Sequence, residues 1–222
     1  MRNLKKFETE TEMVAWQRGA NYVFPNLILC GHIVQYNTPS LSGVFIQHVD
    51  GTLYRMNEWT TKGFDSAEAN GVAVVDYRAS FVVAKQDVSK NIWSSDTTNL
   101  VECVTTLDKQ EALGDYNGYE NTLEIVKTDT SGAAFNCANY VFPNGETGYL
   151  PAAGEWNVLL KYNTDVSAAL TMIGGSISFN IFYWLSTQAY APSAYCWSNQ
   201  YKFMYNYKEN KYSARPFLKL NI

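Results

Sequence analysis

Hydrophobic residues in this chain change their spacing twice. In the N-terminal half they fall in short β-branched runs: Leu27-Ile28-Leu29-Cys30, then Gly43 to Val49, Thr52-Leu53-Tyr54, Val72 to Val75, and Ser80 to Ala84. Runs of this length bounded by turn signals suit strands. Asp50-Gly51 between two of them predicts a hairpin, and Asp76-Tyr77-Arg78 predicts a second turn. The middle changes to helical spacing, with Tyr119, Leu123 and Val126 on one face and, after the break at Asp129 to Gly132, Ala134, Cys137, Ala138 and Val141 on another. Trp156, Leu159 and Leu160 repeat the pattern, as do Val166, Ala169, Leu170 and Ile173 behind Asp165, a predicted N-cap, with Gly174-Gly175 ending that helix. The tail returns to β character in Ile177 to Leu185, Tyr195 to Phe203 and Ser213 to Leu220. Pro216 lacks a backbone N–H, so the last strand is expected at a sheet edge or starting near that residue. This order predicts an α+β fold with two helical zones. Residues 1–28, with a short helix around Met13 to Arg18, are expected to form an N-terminal docking extension before a domain over 29–222.

A chain of 222 residues with 46% hydrophobic residues, 17% charged residues and a net charge of -4 has the composition of a globular domain able to bury its own core. Its 17 basic residues are scattered apart from Lys5-Lys6 and the loose group Lys202, Lys208 and Lys211, so nucleic acid is not an expected partner. Cys30, Cys103, Cys137 and Cys196 lie far apart without His at ligand spacing, which predicts free buried thiols rather than a zinc site. Glu8, Glu10 and Glu12 stand where a signal peptide needs an apolar run, so no secretory leader is expected. Leu27-Ile28-Leu29-Cys30-Gly31 faintly resembles a lipoprotein box, but Leu29 occupies a small-residue position and a buried strand is the simpler reading. No run approaches the ~18 apolar residues of a membrane span.

Several short motifs then occur in a specific order: Asn121-Thr122, Ala133-Ala134, Ala138-Asn139-Tyr140, Gly148 to Trp156 (GYLPAAGEW), Tyr183 to Gln188 (YWLSTQ) and Ala214-Arg215-Pro216. Together they resemble the formylglycine-generating-enzyme-like branch of the C-type lectin fold, found in the variable proteins of diversity-generating retroelements and their phage and gut-bacterial relatives. The resemblance spans roughly residues 43–220 and is strongest from 119 onward. Leu185 departs from the usual Ser of that family and Gln188 from its Glu. What the resemblance implies is a C-type lectin fold of mixed, mostly antiparallel sheets, ending in a β-rich ligand-binding face between Tyr183-Trp184 and Arg215-Pro216. In such proteins this segment is diversified by adenine-directed mutagenesis, which favours Asn and Tyr codons.

Composition points to the same segment without the family. Between Tyr183 and Tyr212 the chain carries seven Tyr, two Trp and one Phe against four charged residues. Large stiff aromatics interleaved with Asn and Ser make antibody-like contact surfaces. The candidate ligand-binding residues are Tyr190, Tyr195, Trp197, Asn199, Tyr201, Tyr205, Asn206, Tyr207, Asn210 and Tyr212. The competing reading is that half of these rings are core, since side chains alternate across a strand. Phe182, Trp184, Phe203 and Phe217 are assigned to the core, as are Trp156, Leu159, Leu160, Leu170 and Ile173.

No acidic cluster accompanies Pro192 or Trp197-Ser198-Asn199, so neither calcium nor any other cofactor or metal is expected at this face. The Cys pair by which formylglycine-generating enzymes hold copper has no counterpart in these spacings. His32 and His48 are read as strand residues, and Asp115, Glu120 and Glu155 as helix-start residues, so no catalytic pair is nominated. The expectation is a non-enzymatic recognition protein in a phage tail or fibre. It would bind a host-surface protein or glycan through the C-terminal face and other virion or display proteins through its N-terminal segment, with a homo-oligomer allowed. The alternatives are a structural virion or decoration protein and a surface adhesin anchored at Cys30.

Overall fold

The computed structural model describes residues 3–6, 28–30, 33–36, 42–98 and 101–220. The expected Met13 to Arg18 helix, His32, and Leu27 and Gly31 of the lipoprotein-like box lie outside those residues. The chain divides into two compact units, Met1–Ser42 and Gly43–Ile222. In the first, β1 (Asn3–Lys6), β2 (Ile28–Cys30) and β3 (Ile33–Tyr36) form an antiparallel sheet with β3 in the middle. Residues 29–42, which the sequence reading placed with the main domain, therefore fall in the N-terminal unit.

The second unit is α+β and mostly antiparallel. Its first sheet runs in the order β13 (Phe217–Lys219), β7 (Ser80–Val83), β6 (Ala69–Val75), β4 (Gly43–His48), β5 (Leu53–Tyr54). The β4–β5 hairpin closes where expected: Gly51 takes φ +90°, a region open to glycine, and the Asp50 carboxylate accepts the Thr52 N–H at 2.8 Å. The β6–β7 turn falls on Asp76 to Ala79, where the Asp76 N–H donates to the Ala79 carbonyl at 3.2 Å. Strand β13 lies at the edge, immediately after Pro216.

The second sheet runs β11 (Lys202–Tyr207), β10 (Ser193–Ser198), β9 (Tyr183–Tyr190), β12 (Tyr212–Ala214), β8 (Val88–Asn91). Among the strand pairings described, β12–β9 alone is parallel, and an isolated parallel bridge joins Thr105 to Gln188 of β9. The β-rich segment Tyr195 to Phe203, expected from sequence as a strand or strand pair, is a hairpin. Residues 199–201 turn the chain, and Trp197 pairs with Phe203 and Tyr195 with Tyr205. Ile177 to Leu185 likewise forms a strand only from Tyr183, where β9 begins.

Among the described residues six helices accompany the sheets: α1 (Met56–Lys62), α2 (Lys109–Leu113), α3 (Gly118–Thr128), α4 (Ala133–Ala138), α5 (Ala153–Lys161) and α6 (Asn163–Met172). Trp156 and Leu159 of α5 and Val166, Ala169 and Leu170 of α6 are buried in one core with Val44, Ile46, Val72 and Val74 of the first sheet and Tyr183, Leu185 and Trp197 of the second. This bears out the buried assignment of Trp156, Leu159, Leu170 and Ile173, while Leu160 is half-buried. The other face of the second sheet holds Trp184, Ala194, Cys196 and Ala214 against Ile125, Ala133, Ala134 and Cys137 of α3 and α4. Trp184 and Phe217 are buried as expected, whereas Phe182 and Phe203 are half-buried.

Three helix assignments need correction. In α3 Tyr119 and Leu123 are exposed, and the buried side carries Gly118, Asn121, Thr122 and Ile125. Polar residues occupy that side because each is bonded: Asn121 Nδ2 donates to Asp115 Oδ2 at 2.9 Å, and Thr122 Oγ1 accepts the Leu150 N–H at 2.9 Å. Helix α4 ends at Ala138, leaving Val141 exposed. Asp165 is not a cap but a first-turn residue of α6, which follows α5 directly through Tyr162. Gly174, at φ +72°, ends α6 as read.

Candidate functional site

Alternation across β9, β10 and β11 sorts the ten candidate residues onto two faces, not one. On the face shared with Tyr183 and Trp197 lie Tyr190, Tyr195, Tyr205 and Tyr207, because Ser193 pairs with both Tyr190 and Tyr207 and Tyr195 pairs with Tyr205. Helices α5 and α6 cover the turn end of this face. At its other end Tyr190, Tyr205 and Tyr207 remain 36%, 43% and 55% exposed. Their rings touch edge to face, Tyr190 to Tyr205 at 5.7 Å and Tyr195 to Tyr205 at 5.9 Å.

Tyr195 and Trp197 are corrections. At 2% and 4% exposure they belong to the core, and Tyr195 forms the floor under Tyr205. An interior strand such as β10, in a sheet covered at this point on both sides, leaves its inward aromatics nowhere to go but inside. The Tyr195 hydroxyl is buried without a hydrogen-bond partner among the described residues. Burial, and then the neighbouring Tyr205, push its ionisation up.

The opposite face carries a second aromatic group. Tyr201 stacks on Phe182 at 5.6 Å, Phe182 on Tyr212 at 4.7 Å, and Tyr212 meets Trp184 at 4.6 Å. Asn206 Nδ2 donates to the Tyr212 hydroxyl at 2.7 Å and Asn210 Nδ2 to Asn206 Oδ1 at 2.9 Å. Tyr212, Asn206 and Asn210 are thus half-buried and tied to one another, while Tyr201 is 55% exposed. Asn199 lies exposed in the turn, where its N–H donates to the Phe179 carbonyl at 2.9 Å.

Asn121, Glu155, Thr187 and Arg215, each from one of the ordered motifs, belong with Asp115 to a buried polar frame. Asp115 Oδ2 accepts from both Asn121 Nδ2 and the Thr187 hydroxyl, the latter at 2.7 Å, and Thr187 Oγ1 accepts the Ala153 N–H at 3.0 Å. These bonds join the start of α3, the start of α5 and strand β9. Arg215, 1% exposed, pairs with Asp87 at 2.6 Å and donates to the Ala84 and Ser176 carbonyls, fixing β12 against the first sheet. Glu155 is buried in the first turn of α5, where Oε2 accepts the Ala152 N–H and Oε1 shares a 2.8 Å hydrogen bond with the Tyr149 hydroxyl. Burial raises its carboxyl to about 8, against the lowering pull of those two bonds. Gly118 packs so closely on this carboxyl that a β-carbon there would overlap it. Sequence reading treated Asp115 and Glu155 as helix-start residues and missed the frame; the signal available was the repeated co-occurrence of small and polar residues at helix starts.

Cys103, Cys137 and Cys196 are free thiols, and burial pushes Cys103 and Cys196 up to about 12. Cys103 is only half-buried by surface. His48 closes β4 among Tyr54, Trp59 and Phe64, with its nearest ring centroid at 4.9 Å, as a packed strand residue. Among the described residues no group of three or more His, Cys, Asp or Glu is placed to hold a metal, and no helix is long and apolar enough to cross a membrane.

No protein-family model matches the chain, and no curated protein matches it. Among solved structures it is similar to the crystal structure of a fimbrial protein from Bacteroides ovatus ATCC 8483, with a TM-score of 0.56 and 15% identity over 80% of this chain. The likeness is one of fold. The chain spans about half of that protein, 48% of its length.

Proposed function

We propose that this chain is a non-enzymatic recognition domain, built on a C-type lectin fold like that of retroelement variable proteins, which holds a host protein or glycan against Tyr190, Tyr205 and Tyr207. The observation that carries the reading is the clustering of three exposed tyrosines at one end of a single sheet face, above the buried Tyr195. Exposed rings on a rigid sheet provide contact area with little rotamer entropy to lose on binding. Tyr201, on the opposite face, and Asn199, in the turn, lie apart from this cluster, whereas Tyr212, Asn206 and Asn210 hold the hairpin in shape. The buried frame of Asp115, Asn121, Thr187 and Arg215 supports this reading, because it lets surface residues vary without disturbing the fold.

The fimbrial fold neighbour favours display on a cell-surface appendage, and the ordered motifs favour display on a virion. Protease treatment of intact producing cells, compared with mass spectrometry of purified phage particles, separates them. Release of peptides from the cell surface, with none in particles, supports the adhesin; the reverse supports the tail protein. Detection in neither fraction contradicts display altogether.

A further inference from the structure

At the turn end of the β10–β11 hairpin, away from Tyr190 and Tyr207, the strands face α5 and the first turn of α6 across a groove of about 520 Å³. That volume lies within the ~300–1,000 Å³ of small-ligand sites. Trp197, Phe203 and Phe179 supply its apolar wall, with Phe179 set edge-on to Trp197 at 5.7 Å. Asn157 of α5, Asn163 of α6 and Asn199 of the turn bring three carboxamides to it from three separate elements. No carboxylate lines it.

Lys202 gives a second, independent mark. It is the one non-glycine among the described residues with a positive φ, at 59°, a conformation that favours glycine. A glycine would close the turn with less strain. The lysine at this position lines the groove and donates from Nζ to Asn199 Oδ1 at 2.9 Å. Strained backbone of this kind gathers at ligand contacts.

We infer that this groove is a second binding site, for a neutral saccharide. A carboxamide carries a donor and an acceptor side by side, as does a sugar hydroxyl, so three of them match a polyhydroxylated ring without selecting for charge. The C–H face of such a ring suits the negative face of an aromatic wall. The missing carboxylates leave nothing to attract a cation, and Lys202 acts as a donor already oriented by Asn199. The inference stands apart from the tyrosine cluster and does not depend on it.

The test is NMR titration of the full-length, 15N-labelled chain with methyl glycosides of neutral hexoses and N-acetylhexosamines and their short oligomers. We expect saturable shifts of the Asn157, Asn163 and Asn199 carboxamides and the Trp197 indole. Lys202→Gly should raise the melting temperature yet weaken binding at least fivefold, a combination that a purely structural lysine does not give. Asn157→Ala should weaken binding by a similar factor in a folded protein. The inference is overturned if no neutral saccharide gives saturable shifts, including the case where only acidic sugars or peptides bind. Unchanged affinity in both variants overturns it as well.

Discussion

Lys208 Nζ donates to Gln188 Oε1 at 2.8 Å while lying 4.7 Å from the centre of the Trp93 ring. The lysine is fully buried, so a cation at the end of β11 is held inside the sheet by an amide on β9. The Gln188 amide is shared further: Oε1 also accepts the Val101 N–H at 3.3 Å, and Nε2 donates to Thr105 Oγ1 at 3.0 Å. Lys208→Met keeps the aliphatic stem and removes the charge. It should cost about 1–3 kcal/mol, the scale of a lost charge-assisted bond. Lys208→Ala should cost more, because it also opens a cavity. Chemical denaturation of the two variants checks the order, and equal losses would contradict it.

Glu155 sets a pH dependence of known sign. The unfolded chain gives up this proton near 4.5, whereas the folded chain keeps it to about 8, so unfolding releases a proton between those values. Its contribution to stability is full below about 4.5 and is lost as pH rises through about 8. Glu155→Gln keeps an acceptor for the Ala152 N–H and gains a donor for Tyr149. The variant should therefore match the parent near pH 5 and exceed it at pH 9, by at most roughly 5 kcal/mol. Melting curves across that range check it; parallel curves for the two proteins would remove the buried proton from the account.

Trp156 packs 4.7 Å from Tyr183 and stacks on Phe217 at 6.0 Å. Trp156→Ala should cost ~3–5 kcal/mol as a large core truncation. Its indole N–H is buried without a partner among the described residues. Trp156→Phe removes that orphan donor along with some volume, so it should cost clearly less than the alanine change. Equal losses in urea titrations would place the energy elsewhere.

Asp108 and Glu111 lie near enough to act on the Tyr195 hydroxyl, but among the described residues no group of three or more His, Cys, Asp or Glu is placed to hold a metal, so adhesion through the proposed tyrosine site should be insensitive to chelator. Binding of the labelled protein to target cells with and without EDTA checks this. Loss in EDTA with recovery on adding calcium would contradict the site as drawn.

How much of this was legible before the structure depends on what each residue does. Turns with their own chemistry, such as Asp50-Gly51 and Gly174, read correctly because their backbone demands are local. So did the apolar strands around Val72 and Phe81, whose burial follows from composition alone. The buried side of α3 did not, because Asn121 and Thr122 are polar and become core residues only through partners distant in sequence, Asp115 and Leu150. The Tyr195 to Phe203 segment hid its turn for a similar reason: Asn199-Gln200-Tyr201 lacks glycine, and Lys202 carries the left-handed residue that a reader looks for in Gly. Composition located the aromatic site, but strand register decided which rings were outside.

The most direct test of the recognition account is combined replacement of Tyr190, Tyr205 and Tyr207 by alanine, read by melting temperature and by binding to target cells in parallel. Exposed positions usually shift stability by no more than ~0.5 kcal/mol each. The account predicts a folded protein with its melting transition nearly in place and its cell binding lost. A protein that unfolds would mean these rings are core, and one that stays folded and still binds would mean the ligand sits elsewhere.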